Sequence, residues 1–93
     1  MRLTLPEETI NESDIVLIKA NRMYSEIILT TGRKVLVSKP LSWYDLDFLR
    51  PHKSVLVNPK HVFMFTGTHI KTKGDYVIRV SNRKLNEMRE YFC

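Results

Sequence analysis

Apolar and β-branched residues fall along the chain in short runs: Ile15–Lys19, Tyr24–Thr30, Lys34–Val37, Ser54–Val57, Val62–Phe65, His69–Lys71 and Tyr76–Val80. Short runs of this kind, cut by turn signals, read as strands. The signals stand at Thr31-Gly32, Asn58-Pro59, Thr66-Gly67 and Lys73-Gly74-Asp75. Thr31-Gly32 predicts a hairpin between its flanking runs, and Lys73-Gly74-Asp75 predicts another before Tyr76. Within Tyr76–Val80 the side chains alternate. Tyr76, Ile78 and Val80 share one face, and Val77 and Arg79 share the other, which Arg79 marks as partly wet. Two stretches read as helical. Pro40–Leu46 is short, with Pro40 suited to a first turn and Ser38 or Ser42 as caps. Ser42 followed by Asp45 is a weak form of the capping box. From Ser81 to about Phe92, the residues Leu85, Met88 and Phe92 form one apolar stripe, with Ser81 or Asn82 as cap. Strand runs outnumber helical ones, so the pattern predicts a mainly β fold with a short central helix and a C-terminal helix.

The chain has 93 residues, of which 43% are hydrophobic. That is enough for one domain with a modest core, and no linker or repeat divides it, so residues 1–93 read as a single unit. The net charge of +5 is unevenly spread. Residues 1–20 hold two basic and four acidic residues, whereas residues 21–93 hold thirteen basic and six acidic ones. A basic body suits a polyanion such as nucleic acid or an anionic membrane surface. Cys93 is the only cysteine, which rules out an internal disulfide and fits a reducing cytoplasm. No apolar run approaches the roughly 20 residues of a membrane span, and Met1-Arg2-Leu3-Thr4-Leu5-Pro6 is too short and polar for a signal peptide.

Catalytic and metal chemistry find no support. His52, His61 and His69 lack ligand spacing, and one terminal cysteine cannot complete a zinc set. No glycine-rich phosphate loop is present. Asp45 and Asp47 read as solvated rather than as a catalytic pair. The chain is therefore read as a non-enzyme without cofactor or metal.

What remains is a set of basic and amide side chains at the ends of elements. Asn21-Arg22-Met23-Tyr24-Ser25 lies between two apolar runs as a loop or strand tip. Arg50-Pro51-His52-Lys53-Ser54 connects the central helix to a strand, and Asn82-Arg83-Lys84 opens the last helix. Arg, Lys, Asn and His supply the donors that phosphates and base edges accept. Arg83 and Lys84 oppose the positive end of a helix dipole, at a cost of a few tenths of a kcal/mol unless an anion lies beside them. A phosphate would be such an anion. A plainer reading pairs Arg83 with Glu87, four residues on. Arg50 reads either as a contact or as a structural residue orienting the His52 loop, and His52 either as a contact or as a buried, hydrogen-bonded residue. Ser54 and Asn58 read as turn residues that satisfy backbone groups.

The segment Phe48-Leu49-Arg50-Pro51-His52-Lys53-Ser54-Val55-Leu56-Val57-Asn58 resembles the most distinctive stretch of LytTR domains, which are DNA-binding domains of bacterial transcription regulators. That pattern runs aromatic, spacer, Arg, spacer, His, Arg or Lys, Ser, a variable residue, two apolar residues and Asn. Asp14-Ile15-Val16-Leu17-Ile18-Lys19-Ala20 resembles the family's first core strand, with Lys19 where Glu is usual, and Tyr24 matches a Tyr common at the end of the next loop. Ile78-Arg79-Val80-Ser81-Asn82-Arg83-Lys84-Leu85 resembles its strand-to-helix junction, with Arg79 in place of Pro and Asn82 in place of Arg. The resemblance implies an elongated, antiparallel β fold that reads duplex DNA from loops between strands, unlike a helix-turn-helix protein.

The family's contact positions fall on Ser25 or its neighbours, on Lys53 and on Arg83. Asn21, Arg22 and Tyr24 would line the first loop, and His52, Asn82 and Lys84 would complete the DNA-binding set. Such domains usually follow a receiver domain, so the chain reads as a free-standing regulator or as an excised piece of a longer one, with Met1 directly before the first strand favouring the former. A second copy on adjacent repeats and a membrane-protein inhibitor are further partners the resemblance suggests. The competing reading is a small β protein-interaction module. RNA binding ranks lower, because no aromatic pair is spaced for base stacking on a sheet face.

Overall fold

The computed structural model describes residues 2–4, 9–44 and 47–92. Its centre is a five-stranded antiparallel sheet in the order β5-β4-β3-β7-β6, formed by β3 (Ile15–Asn21), β4 (Tyr24–Leu29), β5 (Lys34–Val37), β6 (Leu49–His52) and β7 (Val55–Val57). β1 (Arg2–Thr4) pairs with β2 (Thr9–Asn11). A three-stranded sheet holds β8 (Val62–Phe65), β9 (His69–Thr72) and β10 (Val77–Arg79) in the order β10-β9-β8. The chain ends in α1 (Leu85–Tyr91). The molecule is elongated, 38 × 24 × 21 Å, as the resemblance implied.

Ile15–Ile18 are all buried because β3 is the middle strand of a sheet covered on both faces. An uninterrupted apolar run is the mark of such a strand. On one face Ile18, Ile27 and Leu56 pack with Ile10, Leu41 and Tyr44. On the other, Leu17, Ile28 and Val57 pack with Ile70, Ile78, Val80 and Met88. The stripe on α1 docks here as expected. Met88 is fully buried, Leu85 and Phe92 pack around it, and Phe92 stacks on Phe65 with ring centroids 4.8 Å apart. Both expected hairpins form, and the alternation in Tyr76–Val80 holds, with Ile78 and Val80 buried and Val77 and Arg79 exposed.

Three expectations are corrected. The stretch around Arg50–Ser54 is not a simple loop: Leu49–His52 forms β6, which returns as β7. Pro51 is tolerated in β6 because β6 is an edge strand with an irregular register between Leu49 and His52, where a missing N–H costs no ladder bond. The central helix is only a 3-10 turn, Leu41–Trp43, with Pro40 as its N-cap and no side-chain capping bond from either serine. Asp45, the second member of the proposed Ser42–Asp45 capping pair, lies outside the described residues with Leu46, as does Cys93. The C-terminal helix opens with a 3-10 turn, Asn82–Lys84, after Ser81, whose side chain makes no capping bond.

Candidate nucleic-acid interface

Strand register decides which of the basic clusters meet. β3 and β4 join through Arg22 and Met23, flanked by the Asn21–Tyr24 pair. β3 also runs antiparallel to β7, and the Ala20 N–H donates to the Ser54 carbonyl at 2.8 Å. The β3–β4 tip and the β6–β7 tip, Lys53-Ser54, therefore lie at the same end of the sheet. The Ser81 N–H donates to the Pro51 carbonyl at 2.9 Å, which brings the start of the Asn82–Lys84 turn beside β6 at that same end. Three clusters separated by about 30 residues each in sequence are thus gathered at one pole by two backbone hydrogen bonds.

At this pole Asn21, Arg22, Tyr24, Lys53, Asn82 and Arg83 are exposed, and Lys84 and His52 are half-buried. Arg83 makes no ion pair or hydrogen bond among the described residues, since Glu87 is taken by Lys84 at 3.6 Å. The Arg83–Glu87 pairing offered by the sequence is thereby replaced by a Lys84 pair. His52 is held in place, its Nδ1 accepting from the Ser54 N–H at 3.1 Å, which leaves Nε2 as the ring's remaining polar atom. Arg50 is the structural arginine of the two readings: its Nη2 donates to the Lys53 carbonyl at 2.7 Å and closes the turn that presents Lys53.

Ser25 is a correction. It is fully buried, and its hydroxyl donates to the Lys39 carbonyl, so it does not face a ligand. Beside it the Tyr44 hydroxyl is buried without a hydrogen-bond partner among the described residues. Burial raises the Tyr44 pKa, and the nearby Ser25 hydroxyl offsets part of that rise although the two do not meet in bonding geometry. The pair forms the floor beneath the tip rather than its surface. Sequence reasoning passed over Met23, 82% exposed at the tip itself, and Lys39, which follows β5 at the same pole.

Arg22 carries a second signal. Its φ is +57°, a left-handed conformation at the first loop position, where two-residue hairpins favour glycine. A non-glycine residue pays about 1–2 kcal/mol there. Arg22→Gly should therefore leave stability unchanged, or raise it by up to about 1 kcal/mol after the added freedom of the unfolded chain is counted, while weakening DNA binding. Chemical denaturation and a binding titration on one preparation check both halves, and a loss of stability would show that the arginine serves the fold.

A family model for the LytTr DNA-binding domain matches residues 8–92. Among solved structures, the chain is similar to the LytTr DNA-binding domain of a protein described as a methyl-accepting/DNA response regulator from Bacillus cereus. The TM-score is 0.74 at 15% identity, covering 99% of this chain and 94% of that one. No curated protein matches the chain in sequence. Among the described residues no helix is long and apolar enough to cross a membrane.

Proposed function

Because the chain belongs to the LytTR family of DNA-binding domains, we propose that it binds duplex DNA at specific promoter sites in the bacterial cytoplasm and so regulates transcription. Contact is made from the pole where Arg22, Lys53 and Arg83 project. The observation that carries this reading is the meeting of three basic or amide clusters at one end of the sheet, with the Arg83 guanidinium unengaged among the described residues. The reader is a set of strand tips and one short turn; among the described residues no recognition helix of useful length is present, since α1 has seven residues and its apolar stripe is spent on the core. Arg83 is suited to a base edge, because a guanidinium can bond guanine at two atoms. Lys53, Asn21, Arg22, Tyr24, Asn82 and Lys84 would flank it on phosphates and sugars, with His52 Nε2 available as a donor.

Such an interface predicts a steep salt response. With about four to six phosphates neutralised, log K against log salt should slope at roughly −4 to −5. A gel-shift or anisotropy titration of a promoter duplex over a range of salt measures this. A flat response would favour the protein-interaction module instead.

A further inference from the structure

Lys39 lies outside every segment that the sequence marked for DNA binding, yet the sheet delivers it to the same pole. β5 is antiparallel to β4, and Ser25 pairs with Val37, so the exit of β5 stands level with the start of β4. The Lys39 backbone is fixed on both sides: its N–H donates to the Val37 carbonyl at 2.8 Å, and its carbonyl accepts from the buried Ser25 hydroxyl. Its side chain is exposed, and the ammonium sits over the Trp43 ring, 5.7 Å from the centroid. Trp43 is itself 43% exposed and is braced edge-on by Tyr44 at 5.1 Å. A lysine on a pinned backbone, resting on a rigid aromatic seat, has less freedom to lose on meeting an anion than an ordinary surface lysine.

We propose that Lys39, seated on Trp43, is a DNA phosphate contact that extends the interface to the β5 edge. This rests on the DNA-binding reading above and adds a flank to it. In sheet order the pole then presents Lys39 at β5, Arg22 at the β4–β3 tip, Lys53 at the β7–β6 tip and Arg83 beside β6. Four strand spacings separate β5 from β6, about 19 Å. Along duplex DNA that is about six base pairs, given one phosphate per 3.4 Å on each strand. Without Lys39 the cations reach from the β4–β3 tip to β6; with it they span the full width of the sheet.

The test compares wild type, Lys39→Gln and Lys60→Gln on one promoter duplex and one unrelated duplex. Lys60 is exposed in the turn after β7, at the opposite end of the sheet, and serves as the control. Lys39→Gln should make the salt slope shallower by about 0.9, the share of one phosphate, and weaken binding by the same factor on both duplexes. Lys60→Gln should keep the wild-type slope. Trp43 is the only tryptophan, so its emission should change on DNA addition with the same midpoint as binding. Lys39→Gln with the wild-type slope, on DNA that wild type binds and without a change in Trp43 emission, overturns this proposal and leaves the DNA-binding reading intact. Wild type that binds neither duplex overturns both.

Discussion

Asn58→Ala is expected to cost about 3 kcal/mol of stability, which for a domain of this size lowers the melting temperature by roughly 12–24 °C. Asn58 is buried at the exit of β7, and its side chain ties three backbone groups together. Nδ2 donates to the Ile15 carbonyl at 2.8 Å and, at 3.3 Å, to the Glu12 carbonyl, while Oδ1 accepts from the Lys60 N–H at 3.0 Å. Alanine removes all of these at once and leaves buried groups without partners, which costs more than the bonds contributed. Asn58→Asp should be worse at neutral pH, because a buried carboxylate would face the same carbonyls with no donor. It should recover part of the loss on acidification. Burial beside carbonyls raises the pKa of such a carboxyl in the folded state, so the protonated form is favoured and stability falls as pH rises. Thermal melts at neutral and acidic pH check both variants. A drop of less than about 1 kcal/mol for Asn58→Ala, the worth of one ordinary hydrogen bond, would refute the stapling role. DNA affinity of the folded protein should stay unchanged, since this staple lies at the end of the sheet away from Arg22 and Lys53.

Arg83→Ala is expected to do the reverse: weaken specific DNA binding by about 1–3 kcal/mol and relax base preference at one position, with stability unchanged or slightly raised. The structural reason is that Arg83 holds nothing together among the described residues. Glu87 is bound by Lys84, and a cation at the opening of the helix opposes the dipole. Lys53→Ala should also weaken binding, but equally for every sequence if it meets only phosphate. Melting temperature and affinity measured on the same preparation, against the preferred duplex and single-base variants, separate the roles. An Arg83→Ala protein that binds like wild type would take the residue out of the interface.

Much of the fold was legible because burial follows side-chain period. Lys34–Val37 and Val62–Phe65 are strands with the expected bounds, and Leu85, Met88 and Phe92 face the core as their spacing requires. What escaped were elements without a pattern of their own. Leu49–His52 is strand despite Pro51, because an edge position excuses the missing donor. Arg2–Thr4 and Thr9–Asn11 are too short to show alternation. Among the candidate site residues, Ser25 could have been excluded by parity, since it lies two residues before Ile27 on the same inward face. Lys39 could have been included once the β4–β5 hairpin was drawn, because antiparallel pairing fixes which loops share an end. The union of the Arg22, Lys53 and Arg83 segments could not be read from spacing. It depends on which backbone carbonyls Ala20 and Ser81 reach.

The double burial of β3 has a consequence for how the molecule comes apart. Ile15 and Ile18 belong to one core and Val16 and Leu17 to the other, so neither core can dissolve while the other keeps a complete wall. The two layers should therefore melt as one cooperative unit, with no populated half-molecule. The same strand sets the order of assembly. Its pairing with β4 closes across a two-residue loop, whereas Leu17 must find Val57 across most of the intervening chain. Closing that longer loop is entropically costly before any contact repays it. The local hairpin thus forms a template that waits for β7, and folding speed is governed by how rarely the distant strand arrives.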